Sequence, residues 1–234
     1  MSQIPNSVAP QDLADSELFR DVSEQGRADA IRCASVRHWP KGAAIFEQDQ
    51  PCDRAHAVLS GRVRIAQSDA DGGQLLVRFI GPGETYGTVG LFSGHRYPAQ
   101  ATAAVDCVEI SWAEAALRGL IERHPQIGIN ILKVAAERLR DVENRLRESN
   151  TQRVERRIAH TILRLAAKGG QDETGGAQID FPLSRKDIAD MCGATVHTVS
   201  RTLTQWEKEG WVSTNQQRLT LLKPSQIRRL AEDA

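Results

Sequence analysis

The sequence predicts an α+β fold: an N-terminal antiparallel β-roll, or jelly roll, then one long helix, then a C-terminal winged helix-turn-helix. Three observations carry this. Short alternating or apolar runs, parted by turn residues, fill residues 36–112. Apolar residues then recur with a seven-residue period beyond Pro125, and a compact helix-turn-helix pattern occupies residues 183–203.

Within the first region the expected strands are 43–47, 55–59, 62–67, 75–80 and 101–110. Turn signals separate them at Lys41-Gly42, Ser60-Gly61, Asp71-Gly72-Gly73 and Gly81-Pro82-Gly83. Many short strands with glycine corners suit a jelly roll, which manages its sheet edges by folding the strands into two sheets.

In the long helix, Leu132, Leu139 and Leu146 repeat every seven residues, with Ala135 and Val142 three further on and Arg and Glu at the flanks. This is the pattern of a two-stranded coiled-coil seam, hence of a homodimer. The alternative is a single amphipathic helix packed on its own β domain. Small Ala135 and Ala136 favour close helix approach. Ser149-Asn150-Thr151 is expected to interrupt the seam, with Ser149 and Gln152 as a capping box starting a helix over 152–167. The expected division is therefore a β-roll domain with flanking helices over 1–124, a dimerisation helix and hinge over 125–150, and the winged helix-turn-helix over 151–234. The glycine-bearing stretch 169–176 lacks the lysine of a phosphate loop and is expected to be a solvated loop.

In the helix-turn-helix, Ser184 and Asp187 form a capping box, and Ile188, Ala189 and Met191 give a short helix its apolar face. Gly193 permits the turn, and Thr195 caps a second helix with Val196, Val199 and Leu203 expected inward. His197, Thr198, Ser200 and Arg201 crowd the N-terminal part of that helix, the end a recognition helix presents to base edges. The helix should stop at Gly210, and runs 211–214 and 218–222 around the polar turn 215–217 should form a wing. Double-stranded DNA is the expected partner.

Composition permits this and narrows the rest. The 234 residues suffice for two domains with separate cores. Formal charge is zero overall, but residues 1–150 hold 17 Lys and Arg against 20 Asp and Glu, whereas 151–234 hold 13 against 10. A small basic excess thus accompanies the helix-turn-helix, and specific contacts must supplement bulk electrostatics. No apolar run reaches the ~20 residues of a membrane span and no secretory signal is read, so a cytoplasmic protein without membrane contact is expected. Cys33, Cys52, Cys107 and Cys192 are scattered, unlike a disulfide framework or zinc site, and no metal ligands are assigned. Cys107 and Ser93 lie in no nucleophile motif, so catalysis is not expected.

The order of regions resembles the Crp/Fnr superfamily of bacterial transcription regulators. The specific likenesses are Gly-Arg-Val-Arg-Ile at 61–65, Gly-Pro-Gly-Glu at 81–84 followed by Gly87, Ser-Arg-x-x-Ile-Ala at 184–189, and Thr-Val-Ser-Arg at 198–201. The phrases at 154–160, 180–189 and 197–201, with Trp206-Glu207, are similar to the Nnr branch, which regulates denitrification genes in response to nitric oxide. The resemblance implies a cyclic-nucleotide-binding-like β-roll, an effector site in it, dimers on inverted-repeat operators, and RNA polymerase as a further partner. It implies that Arg201 reads guanine, that Arg185 holds phosphate, and that His197 stands where most of the superfamily has glutamate.

For cyclic AMP, the family's glutamate and arginine slots hold Thr88 and Pro98 here, which argues against that ligand, with Arg96 the nearest substitute. The loop around His95, Arg96 and Tyr97 is where an effector is expected to sit. A single cysteine, Cys33, before position 50 argues against the iron-sulfur cluster of the Fnr type. Haem stays open as a cofactor because nitric oxide binds haem iron, with His38, His56, His95, His124, His160 and His197 the available histidines and none in a distinctive motif.

Overall fold

The computed structural model describes residues 8–68, 73–167, 177–215 and 218–232. The chain divides into two compact units, Met1–Gln74 with Phe79–Leu139, and Leu75–Arg78 with Arg140–Ala234.

The first unit begins with a 3-10 turn at Pro10–Leu13 and helix α1 at Glu24–Arg32. Strands follow at Ser35–Trp39 (β1), Ala44–Phe46 (β2), Arg54–Ser60 (β3), Val63–Ser68 (β4), Gln74–Ile80 (β5), Thr85–Tyr86 (β6), Gln100–Ala103 (β7) and Cys107–Ala113 (β8). They make two four-stranded sheets, ordered β1-β8-β3-β6 and β2-β7-β4-β5. Buried Ala55, Val58, Ile110 and Trp112 from one sheet share a core with Phe46, Val63 and Ala101 from the other. This is the expected jelly-roll arrangement. One strand expectation fails: 101–110 is two strands in different sheets, broken at residues 104–106. The apolar run continues across the corner, so side-chain patterning carries no sign that the chain changes sheets. Residues 71–72 and 216–217 of the expected turns, and the expected loop 169–176, lie outside the described residues.

A buried polar cluster interrupts this core. His56, 5% exposed, places Nε2 2.9 Å from the Tyr97 hydroxyl and Nδ1 3.0 Å from Glu109 Oε1. Tyr86 and Trp39 donate to Glu109 Oε2 at 2.8 and 3.1 Å. Burial alone would raise the Glu109 carboxyl, but His56, Tyr86 and Trp39 hold it below its ordinary value of 4.5. A carboxyl lowered in the folded state contributes stability that is full above the unfolded value and is lost as pH falls through the folded one. Glu109→Gln is therefore expected to cost about 1–3 kcal/mol at neutral pH, with the gap from wild type closing in acid. Denaturant titrations at several pH values check this. A gap that did not depend on pH would show that the carboxylate charge is unimportant.

Helices α2 (Thr88–Phe92) and α3 (Glu114–Arg123) belong to the first unit, and α4 (Gln126–Thr151) has residues 126–139 in the first unit and 140–151 in the second. One face of α4 anchors to the first unit: Ile127 and Val134 are buried, and Asn130 Nδ2 donates to the Leu18 and Arg20 carbonyls at 2.9 and 2.7 Å. Arg138 adds an ion pair to Glu17 at 2.9 Å. The heptad residues occupy a different face, with Leu132 71%, Leu139 60%, Val142 61% and Leu146 63% exposed and Ala135 also exposed. The packed face matches the reading of an amphipathic helix on its own β domain, and the heptad residues form a separate exposed apolar stripe.

The expected helix break at Ser149-Asn150-Thr151 is absent. Helix α4 runs through these residues: Thr151 Oγ1 donates back to the Arg147 carbonyl at 2.8 Å, and the Gln152 amide still reaches the Glu148 carbonyl at 3.0 Å. Back-bonding lets Ser and Thr sit inside a helix, so the capping signature did not mark an end. The next helix, α5, spans Val154–Ala166 and starts after Arg153, which provides no side-chain cap.

The second unit continues with β9 (Ala177–Gln178), α6 (Arg185–Cys192), α7 (Val196–Lys208), β10 (Val212–Asn215), β11 (Arg218–Leu221) and α8 (Pro224–Glu232). Strands β10, β11 and β9 form an antiparallel sheet, whose β10–β11 hairpin is the expected wing. Ile158, Ile162, Ile188, Val199, Leu203, Trp206 and Ile227 are buried in this unit.

Candidate nucleic-acid interface

The turn between α6 and α7 follows its residues closely. Ser184 Oγ accepts from the Asp187 amide at 3.0 Å while Asp187 Oδ2 accepts from the Ser184 amide at 2.9 Å, the reciprocal cap expected of this pair. Gly193 ends α6 at φ 63°, in the left-handed region that favours glycine. Thr195 Oγ1 then caps α7 by accepting from the Thr198 amide at 3.1 Å.

Packing sets which face of α7 is presented. Val199, Leu203 and Trp206 are buried, and Trp206 Nε1 donates to Glu155 Oε1 on α5 at 3.3 Å. Val196 departs from expectation: it is 46% exposed, because position 196 opens the helix before its first turn meets the core. The opposite face bears Thr195, His197 and Arg201, all exposed, with Thr198 and Ser200 half-buried. Among the described residues neither the His197 nor the Arg201 side chain has a hydrogen-bond or ion-pair partner, which leaves the side-chain donors and acceptors to an incoming ligand.

Arg185 behaves differently. Its Nη1 donates to the Ser200 carbonyl at 2.8 Å, and Nη2 lies 3.9 Å from Glu207. Its guanidinium braces α6 against α7 in addition to whatever it offers a phosphate.

A groove of about 580 Å³ beside α7 is lined by His197, Thr198, Ser200 and Arg201 together with Thr202, Thr204, Gln205, Lys208, Val154 and Glu155. The last six were not singled out from sequence. Thr204, Gln205 and Lys208 follow His197 and Arg201 at helical spacing, so extending the polar face of α7 would have found them. Val154 and Glu155 come from α5, and only the tertiary fold brings them there.

The loop residues expected to meet an effector do not form one cluster. Thr88 is buried at the start of α2, and Tyr97 is buried in the core, stacked on Phe46 with ring centroids 3.6 Å apart. His95, Arg96 and Pro98 are exposed. Backbone bonds pin this loop to residues 49–52: Tyr97 to Gln50 and Asp49 at 3.0 and 2.8 Å, and Cys52 to His95 at 2.8 Å. Thr88 and Pro98 supply neither carboxylate nor guanidinium, and Arg96 donates to the Asp49 carbonyl, so these residues do not fit a cyclic nucleotide held by an ion pair. Of the first unit's histidines, two are engaged within the protein and two lie on its surface. His56 has Nε2 on the Tyr97 hydroxyl and Nδ1 3.0 Å from Glu109 Oε1, His124 Nε2 lies 3.0 Å from Asp29, and His38 and His95 are on the surface.

Comparison with known proteins agrees with this architecture. Residues 36–124 match the family described as cyclic nucleotide-binding domain, and residues 156–230 match the Crp-like helix-turn-helix domain. The nitrogen fixation regulation protein FixK of Rhizobium meliloti is 30% identical over 90% of this chain and 93% of its own. The CRP-like cAMP-activated global transcriptional regulator of Mycobacterium tuberculosis is 29% identical over 86% of this chain and 89% of its own. Among solved structures, FixK2 from Bradyrhizobium japonicum superposes with a TM-score of 0.75 at 24% identity, covering 86% of this chain and 98% of that one. With a β-roll, a long helix and a capped recognition helix in one chain, and relatives matched over nearly their whole length, the chain belongs to the Crp/Fnr family of bacterial transcription regulators.

Proposed function

We propose that the protein is a homodimeric, effector-responsive regulator that binds an inverted-repeat operator, with α4 as the dimerisation element. The exposed heptad face carries this reading. An apolar stripe of Leu132, Ala135, Leu139, Val142 and Leu146 is costly to leave in water and has the period of a helix pair. Two copies joined there would present two α7 helices to successive major grooves, about 34 Å apart.

In this reading Arg201 contacts guanine, Ser184 and Thr198 approach the sugar-phosphate backbone, and His197 helps choose the neighbouring base. Neutral histidine has one donor and one acceptor, unlike the acceptor-only glutamate common in the superfamily. The proposed division of labour is sensing within 1–124, dimerisation within 125–150 and DNA binding within 151–234, with RNA polymerase engaged from the DNA. A cytoplasmic site of action follows from that role, and among the described residues no helix is long and apolar enough to cross a membrane.

The Nnr-like phrases at 154–160, 180–189 and 197–201 support nitric oxide as the signal and denitrification genes as targets. The cAMP-activated relative supports the other reading, a cyclic nucleotide, which the Thr88 and Pro98 substitutions weaken. Selection of duplexes from a randomised library, with nitric oxide, cyclic AMP or neither present, tests both levels. Nitric oxide is expected to change operator affinity and cyclic AMP is not; the opposite response would reverse the assignment. Selection with His197→Glu should shift base preference beside the Arg201 contact, and identical preferences in both proteins would remove His197 from base readout.

A further inference from the structure

Arg157, on the first turn of α5, directs its whole guanidinium at backbone carbonyls. Nε donates to Cys192 at 3.0 Å, Nη2 to Gly193 at 2.9 Å and Nη1 to Gln152 at 3.0 Å. These acceptors belong to different parts of the unit. Cys192 is the last residue of α6 and Gly193 its left-handed cap, two residues before the Thr195 cap of α7. Gln152 is the first residue past α4, and its amide still bonds to the Glu148 carbonyl at 3.0 Å.

One side chain thus joins the end of α4 to the turn that launches the recognition helix. The carbonyls at the end of α6 carry the partial negative charge of a helix C-terminus, which favours a cation there. The planar guanidinium spans three acceptors at once; lysine has a single nitrogen and cannot reproduce the fork. Arg164, paired with Glu148 at 2.7 Å, ties α5 to α4. Arg157 extends that tie into the helix-turn-helix.

We infer that Arg157 is a positioning residue for DNA binding: it keys the direction of α7 to the end of α4 and thereby fixes the half-site spacing that the dimer accepts. The inference rests on the dimeric DNA-binding reading above. A residue that only stabilised the fold would, when replaced, weaken binding to every duplex by the same factor. A residue that sets direction would alter the dependence on spacing.

The test uses full-length wild type, Arg157→Gln and Arg157→Lys on inverted repeats selected by wild type, with the half-sites kept or moved apart or together by one and two base pairs, and on a single half-site. Both variants are expected to sediment like wild type and to bind the single half-site within a few-fold, yet to lose about tenfold or more on the native spacing and to flatten the spacing profile. Lysine should not rescue, since it restores charge without the fork. An unchanged spacing profile, equal loss on all duplexes, or full rescue by lysine would overturn the positioning role. If Arg157→Gln fails to fold, Arg157→Lys decides by the same profile. Wild type without preference for any inverted repeat would refute the dimeric DNA-binding reading itself, a result distinct from a flat effect of the variants.

Discussion

Leu139→Glu is expected to abolish dimer formation and operator binding together while leaving the monomer folded. In a single chain Leu139 is 60% exposed, so a carboxylate there meets water and costs little. In a two-helix seam it would be buried against its symmetry mate as an unpaired charge, a change of several kcal/mol, ~3–5 in comparable cases. Flanking Leu132, Val142 and Leu146 cannot absorb that penalty. Since two half-sites must be held together for useful affinity, DNA binding should fall with the dimer. Analytical ultracentrifugation, circular dichroism and a DNA titration on the same sample check the three parts. A variant that remained dimeric and bound DNA would place the interface elsewhere.

Arg201→Ala is expected to cost about 1–3 kcal/mol per half-site, counted twice on an inverted repeat, with little change in non-specific affinity. Arg201 is exposed on the polar face of α7, and the buried Val199 and Leu203 on either side fix its direction. The paired donors of a guanidinium match N7 and O6 of guanine, a match no other base provides. The variant should therefore tolerate substitution at one base pair that wild type rejects. Equal losses on specific and random duplexes would make Arg201 a phosphate contact instead.

The sequence discloses local structure well where one residue decides one conformation. Ser184, Gly193 and Thr195 each act within three residues of themselves, and the recognition turn was legible for that reason. The heptad stripe of α4 was legible as well, but its anchoring face was visible only as an alternative. Asn130 and Arg138 bond to residues more than a hundred positions earlier, which periodicity cannot reveal. The helix break expected at Ser149-Asn150-Thr151 fails for a local reason instead: Thr151 Oγ1 bonds back to the Arg147 carbonyl, so the helix runs past the capping signature of Ser149 and Gln152. Long-range pairing also explains the cluster of His56, Tyr86, Tyr97 and Glu109, whose members come from separate strands and a loop. Tyr97 in particular reads as a loop residue open to ligand, yet the fold places it against Phe46 in the core.

The central claim is that a dimer of this chain reads an inverted repeat through α7. Selecting duplexes with the full-length protein from a fully randomised library, then sequencing the survivors, tests it most directly. The expected result is two copies of one short half-site in inverted orientation, with centres about one duplex turn, 10–10.5 base pairs, apart. Enrichment of single or directly repeated half-sites, or no enrichment, would contradict it.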